Sequence, residues 1–171
     1  GWPDYHAGRL LEDGKRYRAP GKEGPRSLIA NPPNRPPRPA AVLAVHSSSD
    51  GFDFSRNPQF GYAGQAFIAQ FGDQAPAVGK VLEPVGFKVM RVDVNSGIAE
   101  EFAVNRGRKN GPASMLKGGG LERPVAARFN PDGSALYVVD FGILREQDGH
   151  ALPQPQTGVV WKITRSSRSA S

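Results

Sequence analysis

Arg123-Pro-Val-Ala-Ala-Arg-Phe-Asn-Pro-Asp-Gly-Ser-Ala-Leu-Tyr-Val-Val-Asp-Phe-Gly142, followed downstream by Gly158-Val-Val-Trp-Lys-Ile-Thr164, decides the fold class. Val125 to Phe129 and Ala135 to Val139 are short apolar runs, and Asn130-Pro-Asp-Gly133 between them is turn chemistry. Proline presets φ there, and glycine takes the positive φ that closes a tight turn. Strand, turn, strand, loop and strand is the beat of a β-propeller blade, a four-stranded antiparallel sheet of about 40 to 50 residues.

The same texture runs upstream. Phe87-Lys-Val-Met-Arg-Val-Asp-Val94 alternates apolar and polar residues, the mark of a strand with one buried face. Asn95-Ser-Gly97 turns it into Ile98 to Val104, a hairpin partner with Phe102 and Val104 inward. Gln65 to Ala69 reads as a strand ended by Gly72-Asp73. Ala41-Val-Leu-Ala-Val45 reads as another, followed by the turn Ser47-Ser-Ser-Asp-Gly51. Residues 72–86, 105–122 and 141–157 read as loops, and no segment carries a helical period. Six to nine short strands make the chain all-β. At about 40 to 50 residues per blade, residues 41–165 hold roughly two to three blades, and closure usually takes at least four. A partial propeller is expected, with open apolar faces and unpaired edges on its outer blades.

Composition agrees with a turn-rich domain: 21 glycines and 16 prolines stand among 171 residues. Five of the prolines fall in Asn31 to Pro39, which makes residues 1–40 an extended connection rather than a folded unit. Residues 166–171 read as a disordered tail. The absence of cysteine excludes a disulfide framework and thiolate chemistry. No apolar run is long enough for a membrane span. The opening Gly1-Trp2-Pro3, without methionine or leader, reads as a processed or truncated start. A net charge of +6 invites a nucleic-acid reading. The basic residues, however, are spread from Arg9 to Arg168 among acids, without one basic face, so no nucleic acid is expected.

Few constellations carry chemistry. His46 ends an apolar run and is positioned to line a pocket, whereas His6 and His150 have no spaced partners for zinc. Ser47 to Ser49 beside His46 lack a nucleophile elbow. Gly118-Gly-Gly120 lacks the Lys-Ser/Thr pair and helix of a phosphate loop. Asp50, Asp53, Asp73, Asp132, Asp140 and Asp148 read as scattered turn residues without calcium-loop spacing.

Taken in order, Gly1-Trp-Pro3, His46-Ser-Ser48, Gly86-Phe-Lys-Val-Met-Arg-Val92, Gly120-Leu-Glu-Arg-Pro-Val125, Asn130 to Asp140 and Gly158 to Ile163 form a set. The set resembles the C-terminal half of the soluble pyrroloquinoline-quinone-dependent glucose and sorbosone dehydrogenases, which are six-bladed propellers. The resemblance implies a periplasmic or extracellular oxidoreductase acting on a sugar or aldehyde, with calcium on the quinone and a cytochrome as electron acceptor. It places the proton-abstracting histidine and most calcium ligands before the Gly-Trp-Pro, so a missing N-terminal half or a second chain would complete the site.

For this chain the resemblance implies cofactor contacts from Arg123, Lys80 and His46, with Arg suited to clamping carboxylates. It implies a substrate wall including Gln74 and Arg108. Gln74, in Phe71-Gly-Asp-Gln-Ala-Pro76, departs from the basic or tryptophan-containing loops of many members. If Arg123 clamps the cofactor in the complete protein, Arg123→Ala is expected to weaken quinone binding and leave thermal stability nearly unchanged. The alternative reading is a non-catalytic β-propeller module that binds a glycan or a protein through its loops.

Overall fold

The computed structural model describes residues 5–6, 9–10, 38–74, 83–108 and 110–166. The chain divides into two units, Gly1–Ala40 and Ala41–Ser171. In the first, β1 (Tyr5–His6) and β2 (Arg9–Leu10) pair antiparallel, in a stretch that the sequence reading left without strands. Most of the proline-rich run and of the tail lies outside the described residues.

The second unit is built of β3 (Ser49–Phe54), β4 (Ala66–Gln70), β5 (Lys88–Val92), β6 (Ala99–Ala103), β7 (Pro124–Phe129), β8 (Ala135–Asp140), β9 (Leu144–Gln147), β10 (His150–Pro153) and β11 (Val159–Thr164). A single helical turn, α1 (Ala113–Leu116), and a 3-10 turn at Arg106–Arg108 interrupt the strands. The class is all-β. Strands β3-β4-β5-β6 form a four-stranded antiparallel sheet, and β11-β8-β7 a three-stranded one.

One core joins the two sheets. Period-two alternation sends Phe67, Ala69 and Val89 from the first sheet, and Ala127, Phe129, Leu136 and Val138 from the second, into the same cluster. Phe67 is fully buried and stands edge-on to Phe60, Phe102 and Phe129, at 4.7 to 5.9 Å between centroids. Each such ring pair adds about 0.5–1.5 kcal/mol beyond area burial. Phe102 packs against this core as the pattern predicted, whereas Val104 falls past the end of β6.

Two expectations are corrected. Ala41 to Val45 is not a strand: Val42 and Val45 are 83% and 77% exposed, and among the described residues the segment has no ladder partner. The strand lies next to it, at Ser49–Phe54, through the residues read as a turn. Pairing with β4 overrides the local Asp-Gly preference. Gly51 serves close approach instead: a Cβ there would sit 2.9 Å from the Ala126 backbone of the neighbouring sheet. The second correction is the β9–β10 hairpin, inside the stretch read as loop. Its turn, Asp148-Gly149 with φ of 53° and 76°, is the two-residue turn favoured for hairpins.

Strand direction sorts the connections. At one end lie residues 55–65, the 93–98 turn and the 130–134 turn. At the other lie residues 71–74 and 83–87, 104–108 and 110–123, and 141–158. Contacts such as the Phe71–Phe141 ring pair draw these loops together.

Candidate functional site

At this loop end, His46 and Gln74 line one cleft of 280 Å³ with Ser48, Gly72 and Asp73. Backbone pairing explains why they meet. Beyond the end of β4, the Phe71 and Gly72 N–H groups donate to Ser48 O and Ser47 O at 2.9 and 3.0 Å. Asp73 N–H donates to Val85 O at 2.9 Å, and Val85 N–H returns a bond to Asp73 Oδ2 at 2.6 Å. The ladder thus runs on past the strands and draws residues 71–73 against residues 85–87 as a neck.

Arg123 fills the space beside this neck. It is 8% exposed, and its Cζ lies 4.8 Å from the Phe71 ring centroid and 5.0 Å from that of Phe87. Nη1 donates to Asp73 O at 3.0 Å and to Phe71 O at 3.4 Å. Among the described residues, Arg123 Nε is the one buried side-chain nitrogen or oxygen without a hydrogen-bond partner. Burial pushes the guanidinium below its usual pKa, opposed by the charges of Glu122, Asp73 and Asp140.

The backbone is strained at the same place. His46, Ser48 and Phe87 have φ of 63°, 48° and 60°, and a bulky aromatic residue is a marked outlier there. Such residues cost about 1–3 kcal/mol each, persist where the surroundings over-determine them, and cluster at functional sites. No residue type in the sequence announced this strain. Ser48 and Asp73, read from the sequence as a serine without a nucleophile elbow and as a turn residue, reach the cleft through pairings between distant segments.

Asp140, read as a turn residue, is a buried strand residue that fastens the adjacent loops. Oδ1 accepts the Arg123 N–H at 2.7 Å and the Gly142 N–H at 3.2 Å; Oδ2 accepts the Glu122 N–H at 2.7 Å and Trp161 Nε1–H at 3.3 Å. Glu122 in turn accepts the Ser114 N–H at 2.8 Å and hydroxyl at 2.6 Å. These groups flank a second cleft, of 320 Å³, lined in part by Lys117 and by Gly119 and Gly120 of the glycine run.

His46, Gln74 and Arg123 therefore come together, with Arg123 beneath rather than in the cleft lining. Lys80 and the Arg108 side chain lie outside the described residues. His46, Ser48 and Gln74 offer hydrogen-bond donors and acceptors, and Asp73 an acidic group, suited to a ligand rich in hydroxyl or carbonyl oxygens. Among the described residues, no three His, Cys, Asp or Glu gather to hold a metal ion, and no helix is long and apolar enough to cross a membrane.

Burial changes what Arg123→Ala is expected to do. Removing the guanidinium strips two carbonyls of their donor and leaves a cavity between two rings. A loss of about 2–4 kcal/mol follows, in place of the neutral effect expected for a cofactor clamp. Urea unfolding checks it: a shift of the midpoint at constant slope is expected, and Arg123→Lys is expected to recover only part of the loss.

No family model matches the chain, and neither does any curated protein or solved structure.

Proposed function

We propose that this chain is the C-terminal part of a quinoprotein sugar or aldehyde dehydrogenase, with its two sheets as neighbouring blades of a β-propeller and its loop end as one wall of the substrate and cofactor pocket. One observation carries the reading. His46 and Gln74, both chosen from the sequence for that wall, converge from segments 28 positions apart onto one strained cleft. The gathering of all three long loops at one end supports it, because ligands of propellers are held by loops around the channel mouth.

The residues fit the cofactor only in part. Pyrroloquinoline quinone supplies two-electron oxidation and carries three carboxylates, which call for cations. The described lining of the cleft contains no Lys or Arg. The adjacent Arg123 is buried, shares Nη1 between two carbonyls, and has Asp73, Glu122 and Asp140 around it. A carboxylate clamp does not fit these residues, and no redox step is assigned to them. Their work is to hydrogen-bond uncharged oxygens of a ligand through His46, Ser48 and Gln74. The clamp, calcium and the base belong to the missing N-terminal half or a second chain.

The absence of Lys and Arg from the described cleft lining favours a second reading, a non-catalytic module that binds a glycan through the same loops. Dye reduction over an aldose panel, with quinone and calcium added, separates the two. The first reading expects sugar-dependent turnover by the polypeptide joined to its N-terminal half and none by this chain alone. Glycan binding without turnover in either form supports the module and overturns the dehydrogenase.

A further inference from the structure

Seven asparagines stand in the chain, and the residue after each decides whether its side chain can react with the main chain. Asn31, Asn57 and Asn130 precede proline, which has no N–H to give up. Asn34, Asn95 and Asn105 precede residues whose side chains crowd the nitrogen, whereas Asn110 precedes Gly111, which has none. The fold separates them further. Asn105 is buried and held at both ends: Nδ2 donates to Gly111 O and Leu121 O, and Oδ1 accepts the Leu121 N–H. After Asn95, the Ser96 N–H is directed to Asp93 Oδ1 at 3.4 Å. Asn110 is exposed, and among the described residues nothing accepts the Gly111 N–H.

A cation sits on the amide that is free to react. Lys88 is 8% exposed in β5, and its Nζ donates to Asn110 Oδ1 and to Glu101 Oε1, each at 2.5 Å. A charged donor on an amide oxygen draws electron density from the carbon and stabilises the oxyanion that forms when a nucleophile adds. The strand fixes Lys88 in place, so the donor costs no reorganisation at the moment of reaction. An exposed amide, an unoccupied neighbouring N–H and a fixed donor on the oxygen meet at one dipeptide.

We propose that Asn110-Gly111 is a self-modification site, at which Lys88 promotes conversion of the asparagine to aspartate and isoaspartate. The Gly111 nitrogen gives its proton to a solvent base and bonds to Asn110 Cγ, with the charge at Oδ1 held by Lys88. The Cγ–Nδ2 bond then breaks, and Nδ2 takes up a proton and leaves as ammonia. Water opens the resulting cyclic imide at either carbonyl, so the net reaction consumes one water and releases one ammonia without any oxidation or reduction. Aspartate sets a second carboxylate beside Lys88. Isoaspartate adds one carbon to the main chain next to Gly111, whose carbonyl holds Asn105 Nδ2 at 3.0 Å. None of this depends on the function proposed above.

The chain is incubated at neutral pH, native and in guanidinium chloride, and the Asn110 peptide is read by mass for the amide-to-acid change and by enzymatic methylation for isoaspartate. In the native chain Asn110 is expected to convert at least tenfold faster than Asn95 or Asn105, and no more slowly than in denaturant. Lys88→Met is expected to slow the native reaction about fivefold or more and to leave the rate in denaturant unchanged, because the hydrogen bond exists only in the fold. Lys88→Arg is expected to recover part of the rate. Conversion at Asn110 no faster than at Asn95, or an equal native rate in Lys88→Met, overturns the proposal. A wild-type native rate tenfold below the rate in denaturant also overturns it, whether or not Lys88→Met folds.

Discussion

Asp140→Ala is expected to lose about 4 kcal/mol or more of unfolding free energy, the largest effect of any single change outside the aromatic core. Two oxygens of one side chain at the end of β8, 3% exposed, accept four N–H groups: those of Glu122 and Arg123 before β7, that of Gly142 after β8, and the Trp161 indole of β11. Alanine leaves all four donors buried or half-buried without an acceptor. Each orphaned group costs about 1–3 kcal/mol, and breaking a buried charged network about 3–5. Against a typical domain stability of about 5–15 kcal/mol, much of the protein is then unfolded at 37 °C. Asp140→Asn keeps one oxygen and turns an amide against two of the donors, so about half the loss is expected. Urea unfolding of the three proteins decides it, and a loss under about 1 kcal/mol for alanine contradicts the role given to Asp140.

Gly86→Ala is the second. Gly86 has φ of 94°, and a Cβ there would lie 2.4 Å from Gly72 Cα and 2.8 Å from Ser47 O. Those atoms are backbone and cannot rotate away, and the Gly72–Gly86 crossing is the neck that holds the cleft. A loss of about 3 kcal/mol or more is expected. Gly64→Ala is the matched control: its φ is 82°, with nothing within 4 Å of a Cβ, so it reports the backbone term alone, about 1 kcal/mol. The difference between the two, read from thermal or urea unfolding, is the cost of forcing the neck apart. Equal losses contradict the close crossing.

Strands with a regular alternation and a clear turn were legible in the sequence, because both signals are local. β5 and β6 around Asn95-Ser-Gly97, β7 and β8 around Asn130 to Gly133, and β11 all lie within a residue or two of where the pattern puts them. β3 was missed because its first residues carry turn chemistry and its pairing with β4 comes from tertiary structure. The β9–β10 hairpin was missed although Asp148-Gly149 marks its turn; its strands lack an apolar face, and seven of their eight residues are exposed. The cleft was half legible. His46 and Gln74 were found through a resemblance, but the burial of Arg123 and the acceptor role of Asp140 are set by segments 50 and 17 positions distant, respectively, in the chain. Residue type alone does not encode them.

The most direct test of the pocket-wall claim is a calcium-dependent titration of pyrroloquinoline quinone into this chain joined to the N-terminal half that the proposal calls for, followed by absorbance with mass in solution recorded on the same sample. Saturable binding by a ring-sized particle is predicted, weakened at least tenfold in the His46→Ala, Gln74→Ala double variant at an unchanged melting temperature. Equal affinity in the two proteins, or no saturable binding in either, would contradict it.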